Sequence, residues 1–212
     1  MARQILSILA LVALAACGTR GSGALQTQVR PVTGFTAVAL TGAADLTVAV
    51  LPGAPTEVVL ETDDNLLPLI QTTVVGNTLT IATAQEIRPT RGLTVRVRVP
   101  VLTDVTLAGA GTVKVTGLQN RRFGLWLSGA GDVALAGDVT DAELHLGGAG
   151  HLDAAALHAR NATLELGGAG DAQVFATEHA DIRLAGAGHV VVSGHPKLID
   201  KHIAGVGTVE LK

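Results

Sequence analysis

The chemistry open to this chain rests in its carboxylates, its imidazoles and one thiol. All seven histidines fall between residues 145 and 202, and several recur at a fixed place in a repeated motif. Thr112, Asp132, His151, Asp171, His189 and Thr208 each follow the second glycine of a Gly-x-Gly element. If those elements stack, the residues form one column. A solvated ladder of alternating acids and imidazoles is then the leading reading. A divalent metal site on Asp132, His151, Asp171 and His189 is the alternative, since both side chains are metal ligands. His158, His179 and His195 lie 12, 13 and 11 residues after the leucine that opens their repeat, a second candidate column for metal or for proton sensing. Glycoside hydrolysis needs two convergent carboxylates, and the candidate pairs are Asp138 with Asp141 and Asp181 with Asp200.

The elements that position these residues are set by the repeat. LAGAGTVKV, LSGAGDVAL, LGGAGHLDA, LGGAGDAQV, LAGAGHVVV and IAGVGTVEL begin at 107, 127, 146, 166, 184 and 203, in steps of 20, 19, 20, 18 and 19 residues. A constant period of this length signals a repeat architecture. After the glycines come alternating apolar pairs such as Val113/Val115 and Val133/Leu135. Before the next glycines come Leu125/Leu127, Leu144/Leu146, Leu164/Leu166 and Ile182/Leu184. Period two on both sides of a turn predicts two half-buried strands per unit. Nineteen residues are too few for a βαβ crossover, which takes about 30, but suffice for one coil of a flattened solenoid with coils about 4.8 Å apart. The glycine pairs 109/111, 129/131, 148/150, 168/170, 186/188 and 205/207 (Gly109, Gly111, Gly129, Gly131, Gly148, Gly150, Gly168, Gly170, Gly186, Gly188, Gly205 and Gly207) are read as stacked corners. They are not read as phosphate cradles, because no lysine and no helix follow them.

Outward positions before each opening leucine read Trp126, His145, Glu165, Arg183 and His202, a mixed column expected on an exposed sheet face. Arg96, Arg98, Arg121 and Arg122 are expected on solvated faces, with contact to anionic lipid headgroups as the alternative. Lys201 falls where other coils place an inward Leu or Ile, so the last coil is expected to depart from the pattern and help close the end. Three Phe, one Trp and no Tyr predict a narrow aliphatic core and few platforms for a sugar.

Residues 1–16 read as a secretory signal: Arg3, then an apolar run too short to span a bilayer. The run ends in Leu14-Ala15-Ala16-Cys17, which resembles the bacterial lipobox. That resemblance implies a diacylglycerol on the Cys17 thiol and an amide-linked acyl chain such as palmitate, enough lipid for stable membrane attachment. Cys17 is the only cysteine, so no disulfide forms within the chain. Gly18 follows, not the aspartate that retains lipoproteins at an inner membrane, which favours an outer membrane where the cell has one. Residues 17–28 are expected to be a flexible tether. Loss of Arg3 with the leader leaves 14 bases against 18 acids, a net charge of about −4, which disfavours nucleic acid as a partner.

Residues 29–106 are less regular and are expected to hold the first coils and the N-terminal cap, ahead of the regular solenoid over 107–212. LTGAADLTV at 40–48 is a degenerate copy of the motif. Asp63, Asp64 and Asn65 predict the start of a short helix limited by Pro68. QTTVV and TLTIA around Gly76-Asn77 predict a hairpin, and Val95, Val97 and Val99 predict a strand with Arg96 and Arg98 on its outer face.

GFTAVALTGAADLTV, ETDDNLLPLIQTTVVGNTLTI, the RVRVPVL run, the successive GAG copies and GHPKLIDKHIAGVGTVEL together resemble the putative auto-transporter adhesin head GIN domain family, over about residues 29–212. Members usually carry Ser where this chain has Ala between the glycines. The resemblance implies an all-β, right-handed parallel β-helix on an exported or envelope protein, and no established activity. The expected function is a non-enzymatic adhesion or interaction module of the cell envelope, with no cofactor beyond the lipid on Cys17. The alternatives are a polysaccharide lyase or hydrolase and a metal-binding envelope protein. An envelope polymer or protein is the expected partner, and no residue pattern indicates the oligomeric state. If Cys17 carries the lipid, Cys17→Ser moves the protein from the detergent-rich to the aqueous phase on phase partition; an unchanged partition would refute the anchor.

Overall fold

A computed structural model describes residues 18–212; Cys17 and the signal lie outside the described residues. In chain order the strands are β1 (Thr19–Arg20), β2 (Leu25–Arg30), β3 (Ala37–Ala43), β4 (Asp45–Val50), β5 (Glu57–Asp63), β6 (Ile70–Val75), β7 (Thr78–Thr83), β8 (Ile87–Arg88) and β9 (Thr94–Val99). There follow β10 (Asp104–Leu127), β11 (Ala130–Leu146), β12 (Ala149–Leu166), β13 (Ala169–Leu184), β14 (Ala187–Ser193), β15 (Leu198–Ile203) and β16 (Val206–Leu211). The fold is an all-β solenoid of about five turns with parallel stacking.

Alternation builds its core. Leu125, Leu127, Leu144, Leu146, Leu164, Leu166, Ile182 and Leu184 are buried on one wall. Val113, Val115, Val133, Leu135, Leu152, Ala154, Ala172, Val174, Val190 and Val192 are buried on the other. Each inward residue sits in register above its counterpart one coil earlier, as in Leu125↔Leu144↔Leu164↔Ile182. Burial of an aliphatic side chain contributes about 1.5–3 kcal/mol, and here it exists only because the coils stack.

At the corners, the Ala149 N–H donates to the Gly129 carbonyl at 3.0 Å, Ala169 to Gly148 at 3.1 Å and Ala187 to Gly168 at 3.0 Å. A Cβ on Gly129, Gly148, Gly168, Gly186 or Gly205 would land on the carbonyl oxygen of the corner beneath. Close approach, more than backbone dihedral, therefore demands glycine: of the twelve corner glycines only Gly111 has a positive φ.

Four expectations change. The two strands per unit are joined: β10 to β13 each run through the far side of the coil as one bent strand, with no loop there. The bend is absorbed by register shifts at Val115/Leu118, Ala134/Ala136 and Ala154/His158, which spares the backbone the loss of its ladder hydrogen bonds. The tether is ordered in its described part, since β1 pairs with β8 and β2 lies antiparallel to β5 from Leu25 onward. The short helix is absent. Its capping side chains are spent on neighbours instead: Asp63 accepts from the Gly23 and Thr90 N–H groups, each at 2.7 Å, and Asn65 from Ser22 at 2.9 Å. One 3₁₀ turn, Leu67–Leu69, remains. Finally, the last coil leaves its end open, with Ile203 47% and Leu211 46% exposed.

The N-terminal end is closed. Leu66 and Leu67 are buried over it, and Arg30 donates to the carbonyls of Leu67 and Ile70 at 2.7 and 3.2 Å. The hairpin forms as expected between β6 and β7, with Gly76 at φ +62° in its turn, and Val95, Val97 and Val99 point inward. Gly129→Ala should cost about 1–3 kcal/mol, the usual penalty of overpacking, whereas Ala130→Ser at the exposed neighbouring position should leave the midpoint of thermal unfolding unchanged; equal midpoints for both would overturn the corner argument.

Candidate functional site

The outward residues of one wall form three adjacent columns. Trp126, His145, Glu165, Arg183 and His202 stand in register on successive coils. Beside them run Gly124, Glu143, Thr163, Asp181 and Asp200, and then Arg122, Asp141, Asn161 and His179. Coil spacing puts opposite groups within reach of each other, and they join into a network. His145 has Nε2 3.0 Å from Glu143 and Nδ1 3.0 Å from Glu165. Arg183 donates to Glu165 at 2.8 Å and to Asp181 at 2.7 Å, and Arg122 donates to Glu143. Asn161 donates to Asp141 at 2.8 Å. The Trp126 ring stacks on His145 with centroids 5.6 Å apart and planes 8° off parallel. It occupies the space a side chain at residue 124 would need, which accounts for Gly124.

Arg122, Asp141, Glu143, His145, Asn161, Glu165 and Arg183 of this network line a shallow groove of about 360 Å³. The His145 hydrogen bond, then Arg122, holds the Glu143 carboxyl below its ordinary 4.5, and Glu143 raises the Arg122 guanidinium in return. The groove is thus a fixed array of donors and acceptors. Behind Arg183, the Asp181 carboxylate that it bonds keeps Oδ1 buried with no protein partner. Sequence reading found the Trp126–His202 column but not its coupling to Glu143 and Asp181. The signal was present in the coil steps: Glu143-x-His145 beside Glu165 and Arg183 follows from the parity of the strand.

The Thr112–Thr208 column forms with the expected register. Its acids, however, turn to the backbone: Asp132 accepts from the His151 N–H at 3.3 Å and Asp171 from the His189 N–H at 3.0 Å. His189 Nδ1 lies 2.7 Å from the Thr208 hydroxyl. Among the described residues no three His, Cys, Asp or Glu side chains gather as a metal site requires.

The second histidine column does not form. His158 is in register with Asp138 and Phe175, and its ring meets Phe175 edge-on at 4.8 Å. His179 is in register with Asn161 and Leu198 and bonds Asp200 at 2.9 Å. His195 sits in a bend with φ +53°. The cause is the register shift between Ala154 and His158, which equal counting from the corner ignores.

Asp181 and Asp200 stand in register on adjacent coils, as expected, but the carboxylates of each candidate pair take different partners. Asp181 faces Arg183 while Asp200 faces His179, and Asp141 faces Asn161 while Asp138 lies 3.4 Å from His158. Arg96 and Arg98 are paired with Glu61 and Glu57 at 2.8 and 3.2 Å.

Residues 34–196 match the family model described as putative auto-transporter adhesin, head GIN domain, and the chain belongs to that family. A search of the curated proteins finds no match. Among solved structures, the chain is similar to a putative adhesin from Bacteroides fragilis at 24% identity and TM-score 0.75, covering 92% of this chain and all of that one. It is similar also to a putative lipid binding protein from Parabacteroides distasonis, at 19% identity and TM-score 0.54 over 92% of this chain and all of that one. A putative adhesin from Parabacteroides merdae matches at 18% identity and TM-score 0.52, over 92% of this chain and 99% of that one.

A carboxyl whose folded pKa is depressed contributes stability that is complete above its ordinary value and is lost as pH falls through the lower folded one. Glu143→Gln should therefore lower the unfolding temperature at neutral pH, and the gap to the parent should close as pH drops below 4.5. A gap that stays constant from about pH 7 to about pH 3 would contradict the network.

Proposed function

Taking membership of that family as the premise, we propose that the protein is a non-enzymatic adhesion module of the cell envelope, anchored through lipid on Cys17. The polar groove on its sidewall is the contact site. The observation that carries this reading is the network from Arg122 to Arg183, which spans successive coils on one wall and holds guanidinium, carboxylate, amide and imidazole groups in fixed positions. Such a surface suits a partner rich in hydroxyl and charged groups, an envelope polymer or a protein, because each donor and acceptor is already oriented and little entropy is lost on contact.

Two observations weigh against the polysaccharide-active alternative. Glu143, a carboxyl that lines the groove, is held down by His145 and Arg122, the reverse of what a general acid at neutral pH needs. The candidate carboxylates, moreover, each have a separate basic or amide partner, with only Asp181 Oδ1 left without one. For the anchor, β1 begins two residues after Cys17, so a lipid there would hold the closed end of the solenoid against the bilayer with the open end distal.

The test is binding of purified protein to intact envelopes. Glu165→Ala with Arg183→Ala should reduce binding at least about tenfold, on the scale of losing two oriented polar contacts; because Arg183 also holds Asp181, a cooperative unfolding transition is the check that the variant is folded. Undiminished binding by this folded variant would remove the groove from the proposal.

A further inference from the structure

The two ends of the solenoid differ. The N-terminal end is plugged by Leu66, Leu67 and Arg30, but at the other end, among the described residues, β15 pairs only with β13 and β16 only with β14. Their outer edges carry unpaired backbone groups, a template for another strand. The inward residues of this last coil are identified by register: Lys201 above Ile182, Ile203 above Leu184, Val209 above Val190 and Leu211 above Val192. Those four partners are fully buried, and among the described residues nothing lies over this end of the core. At the corner itself stands Val206, 84% exposed, in register with alanine in the preceding coil.

We propose that this tip is a homophilic contact surface whose occupant is the same tip of a second copy. A two-fold axis through the Val206 corner lays β15 antiparallel to β16 of the second copy, and the register then follows from the corner. Val206 meets its own counterpart, apolar on apolar. Ile203 meets Val209 and Lys201 lies over Leu211, all facing inward. On the outer face Asp200 meets Lys212 and His202 meets Glu210, an opposite-charge pair and a donor–acceptor pair. Each contact occurs twice.

The competing two-fold, β15 on β15, is poorer in charge. It must set a central residue against its own copy, and the candidates are Asp200, Lys201 and His202. Like charges directly opposite are destabilising, which excludes the Asp200 and Lys201 centres; the His202 centre offers no opposite-charge pair and sets Lys201 against Ile203 in the core. Head-to-tail stacking meets an N-terminal end whose core is plugged by Leu66 and Leu67. Charge complementarity therefore favours the tip-to-tip dimer.

The contact is confined to one coil, two six-residue strands from each copy, and a joint this small is expected to exchange rapidly. Many copies on two facing surfaces would nevertheless hold through multivalency. Because both N-terminal ends point away from the joint, copies anchored at Cys17 on two cells would link them. That consequence rests on the anchor and adhesion reading above; the pairing itself does not.

Sedimentation of the full chain carrying Cys17→Ser, over a concentration series, tests the pairing free of lipid. A monomer–dimer equilibrium that stops at the dimer is expected. Val206→Asp and Asp200→Lys, both at exposed positions, should each weaken it by about tenfold or more because like charges then face each other. Asp200→Lys combined with Lys212→Asp should restore it. A monomer at every concentration, an open series of larger oligomers, or association indifferent to these substitutions would overturn the proposal. Mixing cells that display the parent or Val206→Asp then tests the adhesive consequence separately: equal clumping with an intact dimer in solution refutes only the linking role.

Discussion

The structure depends on one contact, the carbonyl of a corner glycine lying where the next coil's Cβ would be. That position is filled by the acceptor of a hydrogen bond from the neighbouring alanine N–H, so coil spacing, hydrogen bonding and the exclusion of side chains are the same fact. Every other feature inherits its spacing from it. Inward side chains fall above one another and close a dry aliphatic core, while outward side chains fall above one another and meet charge to charge.

The sidewall network is a product of that stacking. Glu143, His145, Glu165 and Arg183 are each partly exposed, and as isolated surface pairs they would contribute little. Held at coil spacing they satisfy one another in sequence, and Trp126 fixes the imidazole from below. The result is a rigid polar surface that needs no loop to build it. This distinguishes it from sites assembled on flexible connections.

The ends show what stacking cannot do for itself. A solenoid has no intrinsic stop, and open strand edges invite association. The N-terminal end is stopped by antiparallel strands, a 3₁₀ turn and Arg30. Among the described residues the C-terminal coil has no such plug, and Lys201 at an inward place limits which partner strand it can accept.

Much was legible in the residues. The glycine period, the alternation of Val113/Val115 and Leu125/Leu127, the 76–77 hairpin and the Thr112–Thr208 register all follow from local spacing, because strand parity and a constant step leave one arrangement that buries the apolar side. The histidines at 158, 179 and 195 did not follow, since register shifts of a few residues at the bend depend on how neighbouring coils absorb different lengths. Nor did the ordering of residues 19–28, the loss of the helix at Asp63, or the coupling of Glu143 with His145 and Glu165. Local sequence determined which residues face in and where each coil turns; the tertiary structure alone decided which outward side chains meet. Register between coils is set by stacked backbone contacts a whole turn apart in the chain, beyond the reach of any local pattern.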